Sequence, residues 1–400
     1  VVLITGTYAG HRQGVRYMTN GLKVYYCPQM AVLDQVAAPL LYPFFPLFRN
    51  IVIREEIDIV HGHQSTSPLA HECILHARTM GIKVVYTDHS LFGFGDSPAI
   101  NINKIMKFSL TDVNHLICVS HTSKENLVLR AYLDPRSVSV IPNAVDTTQF
   151  VPDPSKAPDF RDRINVIIIS RLVYRKGIDL AVEVIPEICR RFPKVYFIIG
   201  GDGPKKLMLE EMRERCQLHD RIELLGAVPH NEVRNVLVRG HIFLNCSLTE
   251  AFCIAILEAV SCGLYVVSTR VGGVPEVMPE DMISTDEPNA PALIEALSDA
   301  IPKVESIDPI ALHNRVKMMY SWHNVAERTE LVYDKVSQIK DQSLISRLKR
   351  YYDCGPWAGK IFCSVVAVDY LFWRFLEWYY PREFVDRAED CRLLINREIS

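Results

Sequence analysis

Short apolar runs alternate with longer segments of helical spacing along most of the chain. Runs at 1–5, 22–28, 57–61, 83–87, 115–120 and 137–141 have the length and content of buried strands. Segments at 42–54, 69–80, around 104–109 and from 122 onward read as helices between them. The connection after the first run is polar and contains glycine, His11, Arg12 and Arg16. A polar stretch with three prolines, 151–163, then breaks the pattern and reads as a linker. Beyond it the alternation restarts, with strands at 165–170, 194–200, 221–224, 241–245 and 264–268. Helices are expected at 178–192, 207–216, 232–239, 251–262 and 321–336. Repeated β-α-β predicts a mostly parallel, doubly wound sheet in each half, an α/β fold. The last helix is expected to return to the first domain.

Composition narrows the picture. The chain has 400 residues, 48% of them hydrophobic, enough for two α/β cores. A net charge of −3 gives no sign of a nucleic-acid partner. Eleven cysteines include no C-x-x-C and no Cys/His cluster at zinc spacing, so no metal is expected. Cys118, Cys189 and Cys262 sit in apolar runs, as small hydrophobes do in a reducing compartment. The first residue is Val1, at the start of an apolar run, and the true N-terminus is expected upstream. Toward the other end, 357–380 is aromatic and apolar but carries Lys360, Asp369, Arg374 and Glu377. Its uncharged core is only eight residues, 361–368, so an in-plane interfacial helix or weak anchor competes with a true span.

The chemistry concentrates in 247–276. Small apolar residues from Ala251 to Cys262 predict a buried helix ended by Gly263, followed by a strand and a Gly272-Gly273 loop. Glu250 and Glu258 interrupt this apolar run. On one helix they would stand about 12 Å apart along the axis. That exceeds the ~5–9.5 Å of a glycosidase acid pair, and suits the two ends of an elongated polar ligand such as a nucleotide sugar. Carboxylates on a helix usually mark a solvated face, but apolar flanks argue against one here. Arg171 and Lys176 follow the strand 165–170, and Gly200-Gly201-Asp202-Gly203-Pro204 follows the strand 194–200. Both loops suit phosphate: cations for developing charge, glycines for close approach. Either could instead be an ordinary solvated turn. His89 follows the strand 83–87, at the carboxyl end where open α/β sheets bind ligands. The aromatic-glycine loop 91–95 lies behind it. A lone histidine is otherwise a satisfied structural residue. His61-Gly62-His63 has metal-like spacing but no third ligand at a telling distance.

E-x7-E before a glycine loop resembles the signature of retaining, two-Rossmann-domain (GT-B) glycosyltransferases. Ala251 and Cys253 stand where the commoner form has glycine. More closely, TDHSLFGF, CVSHTSKEN, VSVIPNAVD, SRLVYRKGIDL, FIIGGDGPK, HIFLNCSLTEAFCIAILEAVSCG and VVSTRVGGVPEV resemble the catalytic subunits of phosphatidylinositol N-acetylglucosaminyltransferases, over about 22–335. The resemblance implies a GT-B fold, with 1–150 on the acceptor side, 164–340 on the nucleotide-sugar side and 341–400 membrane-associated. It implies retaining transfer of GlcNAc from UDP-GlcNAc to phosphatidylinositol, the first step of GPI-anchor synthesis. The setting would be the cytoplasmic face of the endoplasmic reticulum, in a multi-subunit complex and with no metal. By the same resemblance Arg171 and Lys176 hold the diphosphate, Glu258 the ribose, Glu250 the sugar, and His89 sits near the reacting centre. Gly201, Gly273 and Asn143 would line the donor site. Neither glutamate would need a shifted pKa. The family also opens with a strand and a Gly-Gly-Val-Glu loop upstream of Val1, and its C-terminal segment lacks the charges seen here. A scaffold that keeps nucleotide binding, or a transferase for another sugar nucleotide, is the alternative.

Overall fold

The computed structural model describes residues 1–7, 12–28, 31–33, 36–37, 39–93 and 97–388. The chain forms two compact units. One comprises Val1–Cys118, Lys124–Ser139 and Glu330 onward; the other Val119–Ser123 and Val140–Thr329.

In chain order the first unit opens with β1 (Val2–Gly6), β2 (Gly14–Tyr17), β3 (Lys23–Cys27) and the short pair β4 (Ala31–Leu33) and β5 (Val36–Ala37). Then come α1 (Phe45–Arg54), β6 (Ile59–His63), α2 (Pro68–Thr79), β7 (Lys83–Asp88), α3 (Ser97–Leu110), β8 (His115–Cys118), α4 (His121–Ala131) and β9 (Val138–Val140). The strands do not form one sheet. β1-β3-β2 is one, β6-β7-β8-β9 another. β1 pairs with β3 in parallel, and β2 with β3 antiparallel. A groove of about 890 Å³ runs along β1 and β6, lined by the whole of both strands. The first run is therefore not the buried strand that its aliphatic content predicts. Leu3 is 45% exposed, because β1 is an edge with a neighbour on one side only. The polar connection expected before residue 22 contains β2, which is exposed throughout; His11 lies outside the described residues.

The second unit is more regular. It contains β10 (Ile164–Ile169), α5 (Ile178–Arg191), β11 (Val195–Gly200), α6 (Lys206–Arg215), β12 (Ile222–Gly226) and α7 (His230–Leu237). It continues with β13 (Ile242–Asn245), α8 (Ile254–Ser261), β14 (Tyr265–Thr269), β15 (Ile283–Asp286), α9 (Ala290–Ala300) and α10 (Pro309–Met319). Its six strands form one parallel sheet, ordered β12-β11-β10-β13-β14-β15. The order reverses beside β10, the place where a doubly wound sheet receives its ligand. Val166, Ile168, Phe197, Ile199, Leu244 and Val267 alternate along these strands and bury one continuous core under α5 and α9.

From Glu330, within α11 (Trp322–Ser337), the chain belongs to the first unit again, as the pattern predicts. It closes with α12 (Leu344–Tyr352) and α13 (Ala358–Tyr379). No helix among the described residues is long and apolar enough to cross a membrane.

Candidate functional site

At the carboxyl ends of β10, β11 and β13, three loops of the second unit are stitched together. The β10 loop turns through Tyr174–Lys176 and ends at Gly177, whose φ is +66°. A Cβ there would also stand 1.7 Å from the Cys246 carbonyl oxygen, so no other residue fits. Leu248 N–H donates to the Arg175 carbonyl at 2.9 Å, tying this loop to the one after β13. On the other side Leu172 N–H donates to the Asp202 carbonyl at 2.8 Å. Gly201 has φ +145°, and a Cβ on it would lie 1.9 Å from the Ser170 carbonyl oxygen. Arg171, between two residues whose backbone N–H groups donate to the glycine loop, is exposed, and among the described residues it forms no ion pair. Beside it the Ser170 hydroxyl is buried with no hydrogen-bond partner among the described residues.

Lys176 forms an ion pair with Glu250, both half-buried. Ser247 Oγ lies 2.8 Å from Glu250 Oε1 and from Asn245 Oδ1, which sets the carboxylate's orientation from β13. Gly273 N–H donates to the Glu250 carbonyl at 2.9 Å, so the glycine loop after β14 joins the cluster. This corrects the sequence geometry. Glu250 is not on the helix with Glu258: Cys253 is extended (φ −89°, ψ 96°) and caps α8, which starts only at Ile254. The axial spacing argued from one continuous helix does not apply. The apolar run crosses a loop because that loop buries Phe252 and Cys253 as a strand-to-helix turn would.

Glu258 stands on α8, half-buried, with no side-chain partner among the described residues. Burial raises its carboxyl to about 7. The shift at Glu258 is more than its expected role requires, since accepting from hydroxyls needs no perturbed pKa. An acceptor held in a dry, unpaired position is suited to ligand hydroxyls. Asn143 lies in the loop after β9, half-buried, and makes no hydrogen bond to the Lys176–Glu250 cluster. Sequence reasoning missed Glu276. Its carboxylate accepts from His121 N–H at 2.6 Å and Thr122 N–H at 2.8 Å, at the start of α4. Its signal was a carboxylate after the Val274-Pro275 turn, overlooked beside the glycines.

In the first unit His89 directly follows β7. Its Nε2 lies 3.2 Å from His63 Nδ1, and His63 stacks on His61 at 4.3 Å between ring centroids. His61 in turn meets the Tyr333 hydroxyl at 2.6 Å and Thr87 Oγ1 at 2.7 Å. Burial, then the neighbouring His63, lowers His89 to about 4. Burial, then both neighbours, lowers His61 to about 3. His89 is therefore a neutral imidazole at pH 7, able to donate or accept. Next to His89 in the chain, Asp88 is fully buried and paired with Arg130 Nη2 at 2.6 Å. The H-x-H spacing thus places His61 and His63 in a stack that continues to His89 through a hydrogen bond. Among the described residues no group of three or more His, Cys, Asp or Glu side chains is placed to hold a metal ion.

Comparison with known proteins places this architecture. Residues 7–96 match the family model for PIGA (GPI anchor biosynthesis), and 153–310 match glycosyl transferases group 1. The chain is 56% identical to a phosphatidylinositol N-acetylglucosaminyltransferase subunit of Arabidopsis thaliana over 399 residues, covering 100% of this chain and 89% of the relative. It is 55% identical to the phosphatidylinositol N-acetylglucosaminyltransferase gpi3 subunit of Schizosaccharomyces pombe over 392 residues, covering 98% and 85%. Among solved structures, sucrose-phosphate synthase from Thermosynechococcus elongatus superposes with TM-score 0.69 at 18% identity, over 84% of this chain and 88% of that one. HepE from Anabaena, solved with UDP, gives TM-score 0.63 at 17% identity, over 78% and 86%. These two share the fold.

Proposed function

The chain belongs to the PIGA family of phosphatidylinositol N-acetylglucosaminyltransferase subunits, glycosyltransferases of GPI-anchor biosynthesis, and we propose that it transfers GlcNAc from UDP-GlcNAc to phosphatidylinositol with retention at the anomeric carbon. The observation that carries the donor reading is the arrangement around Lys176, Glu250 and the unpartnered Glu258. As the sugar leaves, negative charge grows on the bridging phosphate. Arg171 and Lys176 supply fixed positive charge there, an effect worth about 10²–10³ in rate for a single donor. Gly201 lets the backbone approach the diphosphate, and Glu258 accepts from the ribose hydroxyls. Glu250, held by Lys176 and Ser247, accepts from the sugar, and Gly273 shapes that end.

In this reading two cationic side chains carry the diphosphate and no metal is called for. No protein nucleophile is assigned; the leaving phosphate takes the acceptor's proton. His89, neutral, stands by the sugar, and the first unit serves the acceptor. The naming of the relatives as subunits supports work inside a complex. The lipid acceptor supports a membrane setting, assigned to the cytoplasmic face of the endoplasmic reticulum. Titrating UDP into the full chain tests the donor site. Arg171→Ala with Glu258→Ala should weaken UDP at least about tenfold, from two lost polar contacts. Glu250→Ala should spare UDP and reduce transfer. Equal UDP affinity in the double variant would overturn the assignment. UDP binding with no transfer in the presence of the partner subunits would favour the scaffold reading.

A further inference from the structure

The turn from β8 into α4 closes a hydrogen-bonded triangle with two loops around Glu250. Residues 119–123 belong to the second unit. Within them Ser120 and Ser123 are 1% and 0% exposed and bond to each other. Ser123 Oγ accepts from Ser120 N–H at 3.1 Å and donates to the Ser120 carbonyl at 3.0 Å. Ser120 Oγ in turn accepts from Ser123 N–H at 3.0 Å. Its one hydroxyl proton is left for the Ala251 carbonyl, 2.7 Å away. That bond is the first side of the triangle.

Gly273 N–H makes the second side by donating to the Glu250 carbonyl at 2.9 Å. Glu276 makes the third, accepting from His121 N–H, Thr122 N–H and the Thr122 hydroxyl. Gly273 stands in the middle. A Cβ on it would lie 2.1 Å from the Ala251 carbonyl oxygen and 2.7 Å from Ser120 Oγ. The consecutive carbonyls of Glu250 and Ala251 are therefore both held, and the two peptide planes that follow Glu250 are held with them. Lys176 and Ser247 hold the carboxylate itself. Glu250 is thus fixed at both its backbone and its tip.

We propose that Ser120 is a positioning residue for Glu250, acting through the Ala251 carbonyl rather than on the ligand. This rests on the reading of Glu250 as the group that meets the donor's sugar. Removing Ser120 Oγ leaves the buried Ala251 carbonyl without its donor and frees the peptide plane beside Glu250. Small displacements of a group that orients a reacting ligand cost more than the bond that held it. Glu258 lies beyond the extended Cys253, on α8, so the ribose end should not feel the change.

The test compares UDP with UDP-GlcNAc on the full chain, because only the second carries the sugar. Ser120→Ala should leave UDP affinity within about twofold and weaken UDP-GlcNAc about fivefold, the worth of one hydrogen bond. Ser120→Cys, close in size with a weaker donor, should weaken UDP-GlcNAc at least about twofold. Ser123→Ala is the control, an equally buried serine that bonds Ser120 and not Ala251. It should lower the thermal midpoint about as much as Ser120→Ala and leave the ratio of the two affinities unchanged. In a Glu250→Ala background, Ser120→Ala should add nothing to the change in that ratio, since the two residues act in series. An unchanged ratio in Ser120→Ala or Ser120→Cys would overturn the proposal. So would an equal loss for both ligands, or an effect additive with Glu250→Ala. A ratio that Ser120→Ala lowers and Glu250→Ala does not would overturn this role together with the sugar reading of Glu250. One that Glu250→Ala lowers and Ser120→Ala does not would overturn this role alone.

Discussion

The two units are built from one repeat and complete it differently. In the second, six parallel strands make a single sheet, and β10 at its centre is paired on both sides. In the first, the described strands fall into three sheets, β1-β3-β2, β4-β5 and β6-β7-β8-β9, and β1 and β6 both border a groove. Sheet continuity gives the second unit its rigidity, so three loops of its ligand end can be stitched by backbone hydrogen bonds. The first unit has fewer shared strand contacts and relies on helices that return from the far end of the chain. α13 is one such tie, through Asp369 paired with buried His76 and Glu377 with buried Arg49, and these pairs are the place to break the comparison hardest.

Asp369→Ala should have the largest effect. It leaves His76 buried without its carboxylate, a loss on the order of 3 kcal/mol. Urea unfolding followed by probes in each unit should show the first unit's transition moved to lower denaturant and the second's unchanged. Equal shifts in both units would mean that they do not unfold separately.

Glu258→Gln should act in the opposite direction and in the other unit. Burial holds the folded carboxyl at about 7, above its unfolded value. The folded state therefore binds the proton more tightly. Stability from this group is complete below the unfolded pKa and is lost as pH rises toward about 7. At pH 8 the glutamine variant should be more stable, on the order of 2 kcal/mol; at pH 4 the two should coincide. Its UDP affinity should nonetheless fall, since an acceptor for hydroxyls has been weakened. A stable variant with unimpaired UDP binding would separate Glu258 from the donor site.

Strand runs made β6 to β9 and β10 to β14 legible in the chain, because parallel strands buried on two faces are continuous aliphatic runs; β15 and the short β4 and β5 were not read. The positions of Arg171, Lys176 and the glycine loops were legible for the same reason: they follow such runs directly. Glu250 was misplaced because an apolar loop and an apolar helix look alike until Cys253 takes an extended conformation. β2 was missed since Gly14–Tyr17 is exposed on all sides and shows no alternation of burial. Asp369 and Glu377 read as interruptions because their partners, His76 and Arg49, lie about three hundred residues away. His63 was weighed only as a metal ligand, whereas its distance to His89 depends on the β6–β7 register, His63 opposite Thr87.

The smallest perturbation is no mutation at all. Amide hydrogen exchange reads how often each strand opens, and edge strands open locally at little cost. β10 donates and accepts on both sides, between β11 and β13, so its amides should exchange only with unfolding of the second unit. Among the described residues β6 pairs with β7 alone and β1 with β3 alone, and both flank the groove. Their N–H groups not engaged by those neighbours should exchange at least about a hundredfold faster than those of β10. β7, bounded by β6 and β8, is the internal control and should behave like β10 despite belonging to the first unit. If β7 exchanges as fast as β6, the whole first unit is weak, and the split in its sheet is not the cause. If β6 is as protected as β10, its free edge is covered in solution, and the contrast between the units fails.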